Sequence, residues 1–286
     1  MRLFVFGYGF SARALVRRLR PQGWDVAATF RADGDADRLA GDGVEPVPLS
    51  EPELVGARAA GAQAILVTAP PGARGCPALP LLVPALARAG AFPDWLGYLS
   101  TTGVYGDRRG GWVTESSRLA AQSPEGARRV GAERDWLQVG AGMGLSMTLF
   151  RLPGIYGPGR SPFDRLRRGA ARRIAAPGQV FSRIHVDDLA AGLAASIARP
   201  RAGRAYNLCD DEPAPNSDVL AYAAGLLGLE PPPEVALADA ALPPAAQRFY
   251  AESKRVSNAR AKAELGWRPA FPTYREGLRA VLAAGG

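Results

Sequence analysis

Three small residues near the amino terminus have the spacing of a turn that can bind phosphate. Gly7, Gly9 and Ala12 form the pattern G-x-G-x-x-A between an apolar run, residues 3–6, and a segment of helical period. Glycine allows a tight turn and lets a pyrophosphate approach backbone N–H groups, while alanine lets the helix pack closely on the strand. Because strand, turn and helix follow in the required order, the pattern is specific. We assign Gly7, Gly9, Phe10, Ser11 and Ala12 to a dinucleotide site.

The end of the second apolar run, residues 24–30, bears on the choice of cofactor. A site that prefers NAD usually carries an Asp or Glu there, which accepts hydrogen bonds from the ribose hydroxyls. This run has no acid at its tip and is followed by Arg31, where a 2′-phosphate would need a cation. We therefore predict NADP in preference to NAD. The alternatives are that Arg31 is a solvated loop residue and that Asp33 or Asp35 reaches a ribose.

The fourth apolar run, residues 64–68, ends in small and stiff residues. Such residues let a ribose lie against the backbone at the carboxyl edge of a sheet. We add Ala69, Pro70 and Pro71 to the predicted cofactor site.

These residues need elements that bring several strand ends together. Runs rich in branched and aromatic residues alternate with segments of helical period, which is typical of βαβ units around a parallel sheet. Further strands are predicted over residues 44–47, 95–101, 145–151 and 205–208. Helices are predicted over residues 12–19, 79–89, 125–139, 186–198 and 218–227. The predicted fold class is therefore α/β with a doubly wound parallel sheet.

Composition indicates a globular chain without a nucleic-acid or membrane partner. Hydrophobic residues make up 47% of the 286 residues and charged residues 22%, which favours a packed core over disorder. The formal charge of +8 is spread along the chain, and no basic block indicates nucleic-acid binding. The most apolar stretch, residues 79–92, is too short to cross a bilayer and contains prolines. A positive field still favours anionic small molecules.

Cysteine and histidine content argues against disulfides and metals. Cys76 and Cys209 lie far apart in sequence, and His185 is the only histidine. Neither a disulfide scaffold nor a metal site is expected from these residues. The amino terminus lacks the pattern of a cleaved signal peptide. We therefore expect a cytoplasmic protein.

Several longer motifs occur in order along the chain. They are Tyr98–Gly106 (YLSTTGVYG), Trp112–Glu115 (WVTE), Arg151–Arg160 (RLPGIYGPGR), Arg183–Ala190 (RIHVDDLA) and Leu265–Pro269 (LGWRP). Together they resemble the extended short-chain dehydrogenases, the NAD-dependent epimerase/dehydratase family, over nearly the whole chain. The resemblance implies a Rossmann domain over residues 1–157, completed by 184–208. Beyond about residue 158 the alternation of strands and helices weakens, and proline clusters at residues 231–233 and 243–244 interrupt it. We therefore place a smaller substrate lobe over residues 158–183 and 209–286.

The resemblance implies specific catalytic residues. A Ser or Thr after the fifth strand of the family hydrogen-bonds the reacting oxygen, and Thr101 holds that position. A hydroxyl suits the task because it can both donate and accept. The alternative is that Thr101 merely caps the strand end.

The family's next catalytic element is a tyrosine followed by a lysine four residues later. With Pro124 and Glu133 as anchors, these positions are Glu125 and Arg129, so neither family residue is present. Arginine does not release its proton, and glutamate is ordinarily ionised near neutral pH. The chain therefore resembles an atypical member. Glu125 and Arg129 could instead form an exposed i,i+4 pair, and Tyr105 is a substitute acid.

Other residues complete the site that the resemblance implies. Pro153 and Ile155 lie where the family's backbone passes the nicotinamide. Arg160, Arg183 and His185 lie where relatives with nucleotide-sugar substrates contact phosphates or shape the pocket. The favoured alternative for His185 is a histidine in the core or behind the residues that touch a ligand. The pairs at residues 167–168 and 172–173 are interpreted as the solvated face of a short helix.

Two classes of function follow from these residues. The first is an NAD(P)-dependent oxidoreductase, or an epimerase or dehydratase, that acts on a small hydroxylated or carbonyl compound, with a sugar nucleotide included. The alternative is an NADP(H)-binding sensor or scaffold without turnover, which loss of the tyrosine and lysine would allow. Family members commonly dimerise through two helices, and the sequence leaves a homodimer open.

Overall fold

A computed structural model describes residues 1–32, 34–240, 242–243, 247 and 249–285. Its centre is a seven-stranded parallel sheet in the order β11-β7-β5-β4-β1-β2-β3. The described strands are β1 (Arg2–Phe6), β2 (Asp25–Phe30), β3 (Glu45–Pro48), β4 (Ala64–Val67), β5 (Trp95–Thr101), β6 (Trp112–Val113), β7 (Met147–Leu152), β8 (Gly154–Tyr156), β9 (Arg173–Ala175), β10 (Arg183–His185), β11 (Arg204–Asn207), β12 (Glu234–Ala236) and β13 (Arg255–Val256).

Helices cover both faces of this sheet, so the predicted doubly wound α/β fold is confirmed. The described helices are α1 (Phe10–Leu19), α2 (Gly34–Gly41), α3 (Pro52–Ala60), α4 (Leu79–Ala89), α5 (Pro124–Met143), α6 (Phe163–Arg167), α7 (Val186–Ala198), α8 (Asn216–Leu226), α9 (Ala259–Leu265) and α10 (Tyr274–Ala283). Among these, none combines the length and apolar character that a membrane crossing requires.

Two apolar layers explain why the chain folds this way. Successive side chains of a strand point to opposite faces of a sheet. In β1, Leu3 and Val5 pack against the side that carries α1 and α7, while Phe4 and Phe6 pack against the other side. Both faces are buried, and the strands therefore read as continuous apolar runs.

The predicted elements match the structure with small shifts at their ends. Strand β5 and helices α4 and α7 have the predicted bounds, whereas α1 begins two residues early and α5 runs four residues further, to Met143. Within the described part of the chain, residues 158–183 and 209–286 add no strand to the main sheet; they contribute to two-stranded pairs. That they form a separate substrate lobe remains a prediction.

Asp188 joins two of the motifs that are distant in sequence. Its carboxylate accepts hydrogen bonds from the backbone N–H groups of Ala270 (2.6 Å) and Phe271 (3.0 Å). The indole N–H of Trp267 donates to the backbone carbonyl of Asp188 at 3.1 Å. Burial raises the pKa of Asp188, and the two backbone donors oppose that rise. These bonds fix the carboxyl-terminal segment to α7, because a buried carboxylate needs such partners.

Candidate functional site

Gly7 connects the ends of three neighbouring strands. Its backbone N–H donates to Oγ1 of Thr29 at 2.8 Å, and Oγ1 of Thr68 donates to the Gly7 carbonyl at 2.6 Å. The φ angle of Gly7 is +97°, and a Cβ there would lie 2.8 Å from Oγ1 of Thr68. Only glycine fits this position without strain. The turn is therefore held rigidly at the carboxyl edge of the sheet.

Helix α1 begins with backbone donors that no side chain caps. Gly9 is its N-cap residue and makes no side-chain cap bond, and a Cβ at Gly9 would meet no atom within 4 Å. Phe10 and Ser11 form the first turn, while Ala12 is fully buried against the sheet. The first N–H groups of a helix attract anions. The open face at Gly9 therefore fits the pyrophosphate of a dinucleotide.

The tip of β2 presents a cation rather than an acid. Arg31 is exposed and has no hydrogen-bond or ion-pair partner among the described residues. Asp33 lies outside the described residues, and Asp35 is paired with Arg38 at 2.7 Å. The carboxylate of Asp35 is thus already engaged within α2.

The residues after β4 lie beside the glycine turn. The backbone N of Ala69 would lie 3.3 Å from a Cβ at Gly7, and Ala69 is buried. Pro70 is exposed and Pro71 half-buried, so this segment presents a surface at the same sheet edge.

A cavity of about 470 Å³, here called the inner cavity, lies at the ends of β5 and β7. It brings together four residues singled out from the sequence: Thr101, Glu125, Pro153 and Arg160. Its other walls come from the start of α5 and from the 249–256 segment, which the sequence alone did not connect to the site. They include Ser123, Gly126, Val180, Phe181, Ser182, Phe249, Glu252, Lys254 and Val256.

Thr101 is half-buried at the end of β5. Its Oγ1 accepts the backbone N–H of Gly103 at 3.1 Å, so it does cap the turn that follows the strand. The hydroxyl hydrogen and one lone pair are not used by this bond. Capping and contact with a ligand in the inner cavity are therefore compatible.

Among the described contacts, Glu125 and Arg129 have different partners. Glu125 lies 3.7 Å from Arg128, and its side chain is 56% exposed at the inner cavity. Arg129 instead donates to the Leu99 carbonyl and to the Tyr98 hydroxyl, the latter at 3.1 Å. Since its guanidinium holds the end of β5, Arg129 serves as an anchor in this structure.

Tyr105 is in the core rather than in the cavity. Its side chain is fully buried, and its hydroxyl donates to Oδ1 of Asn207 at 2.7 Å. Arg151 donates to the same oxygen at 3.1 Å. Burial raises the pKa of Tyr105 to about 12, with Arg151 opposing the rise. We therefore exclude Tyr105 from the groups that can transfer a proton to a ligand.

A buried network behind the cavity was missed in the sequence. Glu133 accepts a hydrogen bond from Ser100 at 2.6 Å and forms an ion pair with Arg151 at 2.8 Å. All three side chains are buried. Such a network fixes β5, β7 and α5 relative to one another, because each charge is satisfied only in this arrangement. A charged residue at the end of a predicted buried strand, Arg151, was the available signal.

A second cavity of about 820 Å³, here called the outer cavity, adjoins the first. Both are lined by Gly154, Arg160, Phe181, Ser182 and Phe249. The outer cavity carries the side chains of five arginines and one acid: Arg160, Arg165, Arg168, Arg172, Arg183 and Asp164.

The interpretation of the later arginine pairs needs correction. Helix α6 ends at Arg167, so Arg172 and Arg173 are not on it. Arg168 and Arg172 are exposed as expected, but they line the outer cavity. Arg173 belongs to β9 and pairs with Glu234 at 3.0 Å.

Arg183 and His185 lie on β10 and differ in their access to ligand. Arg183 lines the outer cavity, donates to the Ala214 carbonyl at 3.2 Å, and lies over the ring of Tyr274. His185 lines neither cavity among the described contacts; its Nδ1 accepts the N–H of Asp187 at 3.2 Å and caps α7. Burial lowers the pKa of His185. It is a core residue, which is the alternative that the sequence favoured for this histidine. Ile155 lines the outer cavity instead of facing the inner one.

The parallel sheet, the rigid glycine turn and the cavity at the carboxyl edge define the Rossmann class of α/β proteins. The sequence profile of the NAD dependent epimerase/dehydratase family matches residues 81–209. This part of the chain, a little under half of its length, is therefore similar to that family, in agreement with the resemblance carried by the motifs.

Three similar proteins extend this comparison. A functionally unknown conserved protein from Silicibacter pomeroyi DSS is 48% identical, with 99% of this chain and 98% of that chain covered and a TM-score of 0.92. The 3-diazoavenalumate denitrifying reductase from a Streptomyces species is 32% identical over 169 residues, 55% of this chain and 54% of that protein. The chain thus spans about half the length of that curated relative. The dTDP-glucose 4,6-dehydratase from Bacillus anthracis str. Ames, solved in complex with NAD, is 18% identical, with 99% and 96% covered and a TM-score of 0.76. At that identity the likeness shows the fold alone.

Proposed function

We propose that this chain is an NADP(H)-dependent oxidoreductase that reduces a small anionic carbonyl compound. One observation carries the proposal: the inner cavity holds Thr101 and Glu125 at the carboxyl edge of the sheet and continues into the arginine-lined outer cavity. In doubly wound sheets, ligands bind in the crevice at this edge.

The residues around the glycine turn fit a dinucleotide. Gly9 and the first N–H groups of α1 would hold the pyrophosphate, with the segment from Ala69 to Pro71 beside it. Arg31 would bind a 2′-phosphate, because an exposed guanidinium without a partner in the described structure can form bidentate bonds to phosphate. A reduced nicotinamide supplies two electrons and one hydrogen when it is bound.

The inner cavity supplies the groups that orient a carbonyl. Thr101 can donate its hydroxyl hydrogen to the substrate oxygen while it accepts the N–H of Gly103. Pro153 forms the adjoining wall at the end of β7, where the family's backbone passes the nicotinamide. Glu125 stands at the solvent side, paired with Arg128, and suits exchange of protons with water.

The outer cavity favours an organic anion. Five arginines face one acid, Asp164, so the local field is positive. The ring of Phe249 stacks on Phe181 with centroids 4.1 Å apart, which supplies an apolar wall. The partial likeness to the Streptomyces reductase also favours reduction over epimerisation.

The test is binding and turnover with purified protein. We expect NADPH to bind more tightly than NADH in a fluorescence titration and to raise the melting temperature. We also expect NADPH oxidation with some member of a panel of aldehydes and ketones, half of them carrying a carboxylate. If neither nucleotide binds, the proposal is wrong.

One observation favours a second function, a non-catalytic sensor of NADP(H). Glu125 and Arg129 replace the tyrosine and lysine that the family uses, and Arg129 is committed to Leu99. A sensor would bind NADPH but oxidise none of it across the panel. The same experiment therefore separates the two functions.

A further inference from the structure

The segment over residues 252–256, which ends in β13, presents alternate side chains to the inner cavity. Glu252, Lys254 and Val256 line the cavity, while Ser253 between them faces the other way. Ser253 donates its N–H to Oδ1 of Asp107 at 2.8 Å and its hydroxyl accepts the N–H of Val180 at 3.1 Å. This alternation follows the two-residue period of extended chain. The bonds of Ser253 fix the chain before Lys254, and the bond from the Arg255 N–H to the Gly111 carbonyl fixes the chain after it.

Lys254 and Glu252 form an enclosed ion pair. Nζ of Lys254 lies 2.5 Å from Oε2 of Glu252, and the two side chains are only 10% and 14% exposed. A largely buried ammonium is costly to desolvate unless it has a partner of opposite charge. Glu252 is that partner, and it leaves two of the three N–H bonds of the ammonium for other acceptors.

Among the described residues of the cavity wall, Lys254 is the group best suited to give up a proton. The ionisable side chains there are Glu125, Arg160, Glu252 and Lys254. Arginine does not release its proton. The carboxylate of Glu252 accepts a hydrogen bond from Lys254, and that of Glu125 forms an ion pair with Arg128 at 3.7 Å.

The composition of the chain makes this lysine unusual. Of its 35 basic residues, only Lys254 and Lys262 are lysines. Most cations of this chain are arginines, and a lysine amine differs from a guanidinium because it can lose its proton. Lys262 is more exposed and pairs with Asp211 outside the cavity.

We propose that Lys254 is the proton donor of the inner cavity and that Glu252 holds its ammonium in place; this rests on the proposed reductase function. During reduction, two electrons and one hydrogen drawn from a reduced nicotinamide reach the carbonyl carbon, and the C=O π electrons move onto the oxygen. The oxygen takes a proton from Lys254, so an N–H bond breaks and an O–H bond forms. The neutral amine then regains a proton from water. Lys254 thereby acts as the proton donor in place of the tyrosine that the family uses.

The first test uses the small number of lysines. Trace acetylation of the protein with acetic anhydride, read by peptide mass spectrometry, reports Lys254 and Lys262 separately. We expect NADP⁺ together with the best panel substrate to slow acetylation of Lys254 several-fold and to leave Lys262 unchanged. Glu252→Gln should speed acetylation of Lys254, because the amino group is then no longer held in an ion pair with a carboxylate. Unchanged acetylation of Lys254 under both conditions overturns the proposal.

The second test separates proton donation from charge. Both Lys254→Met and Lys254→Arg should lower kcat by about 10²–10⁴-fold, the usual contribution of a general acid, while the Kd for NADPH stays unchanged. Lys262→Arg is the matched control and should keep the wild-type kcat. A wild-type kcat in Lys254→Arg overturns this inference and leaves the reductase function standing. Absence of NADPH binding in the wild type overturns both.

Discussion

Thr29 Oγ1 and the backbone N–H of Gly7 are 2.8 Å apart, and this bond joins the end of β2 to the turn after β1. Thr68 holds the carbonyl of the same glycine from β4. The turn is therefore preorganised before any ligand arrives, which lowers the entropic cost of binding.

Gly9→Ala should weaken cofactor binding without weakening the fold. A methyl group there meets no protein atom within 4 Å, so the melting temperature should stay close to wild type. It would stand where the pyrophosphate approaches the backbone, and we expect a loss of about tenfold or more in NADPH affinity, which is about 1.4 kcal/mol. Titration and thermal unfolding measure the two effects. Unchanged affinity would place the phosphates elsewhere.

Arg31→Ala should remove the preference for NADPH. Loss of a hydrogen bond to a charged group costs about 1.5–3 kcal/mol, so affinity for NADPH should fall by about 10–100-fold, and affinity for NADH should barely change. Arg58→Ala is the control, since Arg58 is exposed and pairs with Glu45 on another part of the surface. Equal losses for both nucleotides would contradict the assignment.

Thr101→Val should reduce turnover much more than Thr101→Ser. Valine keeps the shape of the side chain but removes the hydroxyl, and loss of one such donor lowers kcat by about 10²–10³-fold. Serine keeps both the hydroxyl and the cap on Gly103. Steady-state kinetics with the best panel substrate measure both variants. Similar activity in the two variants would reduce Thr101 to a structural cap.

Arg172→Ala should affect anionic substrates selectively. The side chain is exposed at the outer cavity, where solvent screens its charge, so we expect KM to rise only about 3–10-fold for substrates with a carboxylate. KM for neutral substrates should not change. Arg173→Ala, on the neighbouring residue paired with Glu234, is the matched control. A rise in KM for neutral and anionic substrates alike would refute a role in charge recognition.

Glu276 should make stability depend on acid pH. Hydrogen bonding with Thr273 in the capping box of α10 lowers its pKa from the ordinary value of 4.5, with burial opposing. A carboxyl whose pKa is lower in the folded state stabilises the fold above its unfolded pKa, and this contribution disappears as pH falls through the folded value. Glutamine can still make the reciprocal bond of the capping box, so Glu276→Gln removes the charge alone and should lose about 0.3–1 kcal/mol at neutral pH, the usual contribution of an acidic side chain at an exposed helix N-terminus.

Denaturant unfolding of wild type and Glu276→Gln between neutral pH and pH 3 measures this difference. The two proteins should converge in free energy of unfolding as pH falls through the lowered pKa of Glu276, because both side chains are then uncharged. A difference that stays constant over this range would mean that the carboxylate charge is not responsible.

Much of the fold was predictable because its signals are local. The apolar runs that become β1 and β5, and the turn from Gly7 to Ala12, are each recognised from adjacent residues. The position of Glu125 in the inner cavity was also predictable, since Pro124 and Glu133 aligned it with the family. The partner of Arg129 was not predictable. The i,i+4 spacing permits a pair with Glu125, but the hydrogen bond to the Leu99 carbonyl depends on how α5 packs against β5.

The sequence by itself determined the doubly wound sheet and the nature of the glycine turn, since strand, turn and helix propensities act over a few residues. Only the tertiary structure decided which residues share a cavity with Thr101. Lys254 is more than 150 positions away in sequence and reaches the inner cavity because β13 pairs with β6 and Ser253 holds Asp107. His185 and Tyr105 are buried in the core for a similar reason. Burial depends on packing between distant segments and not on spacing along the chain.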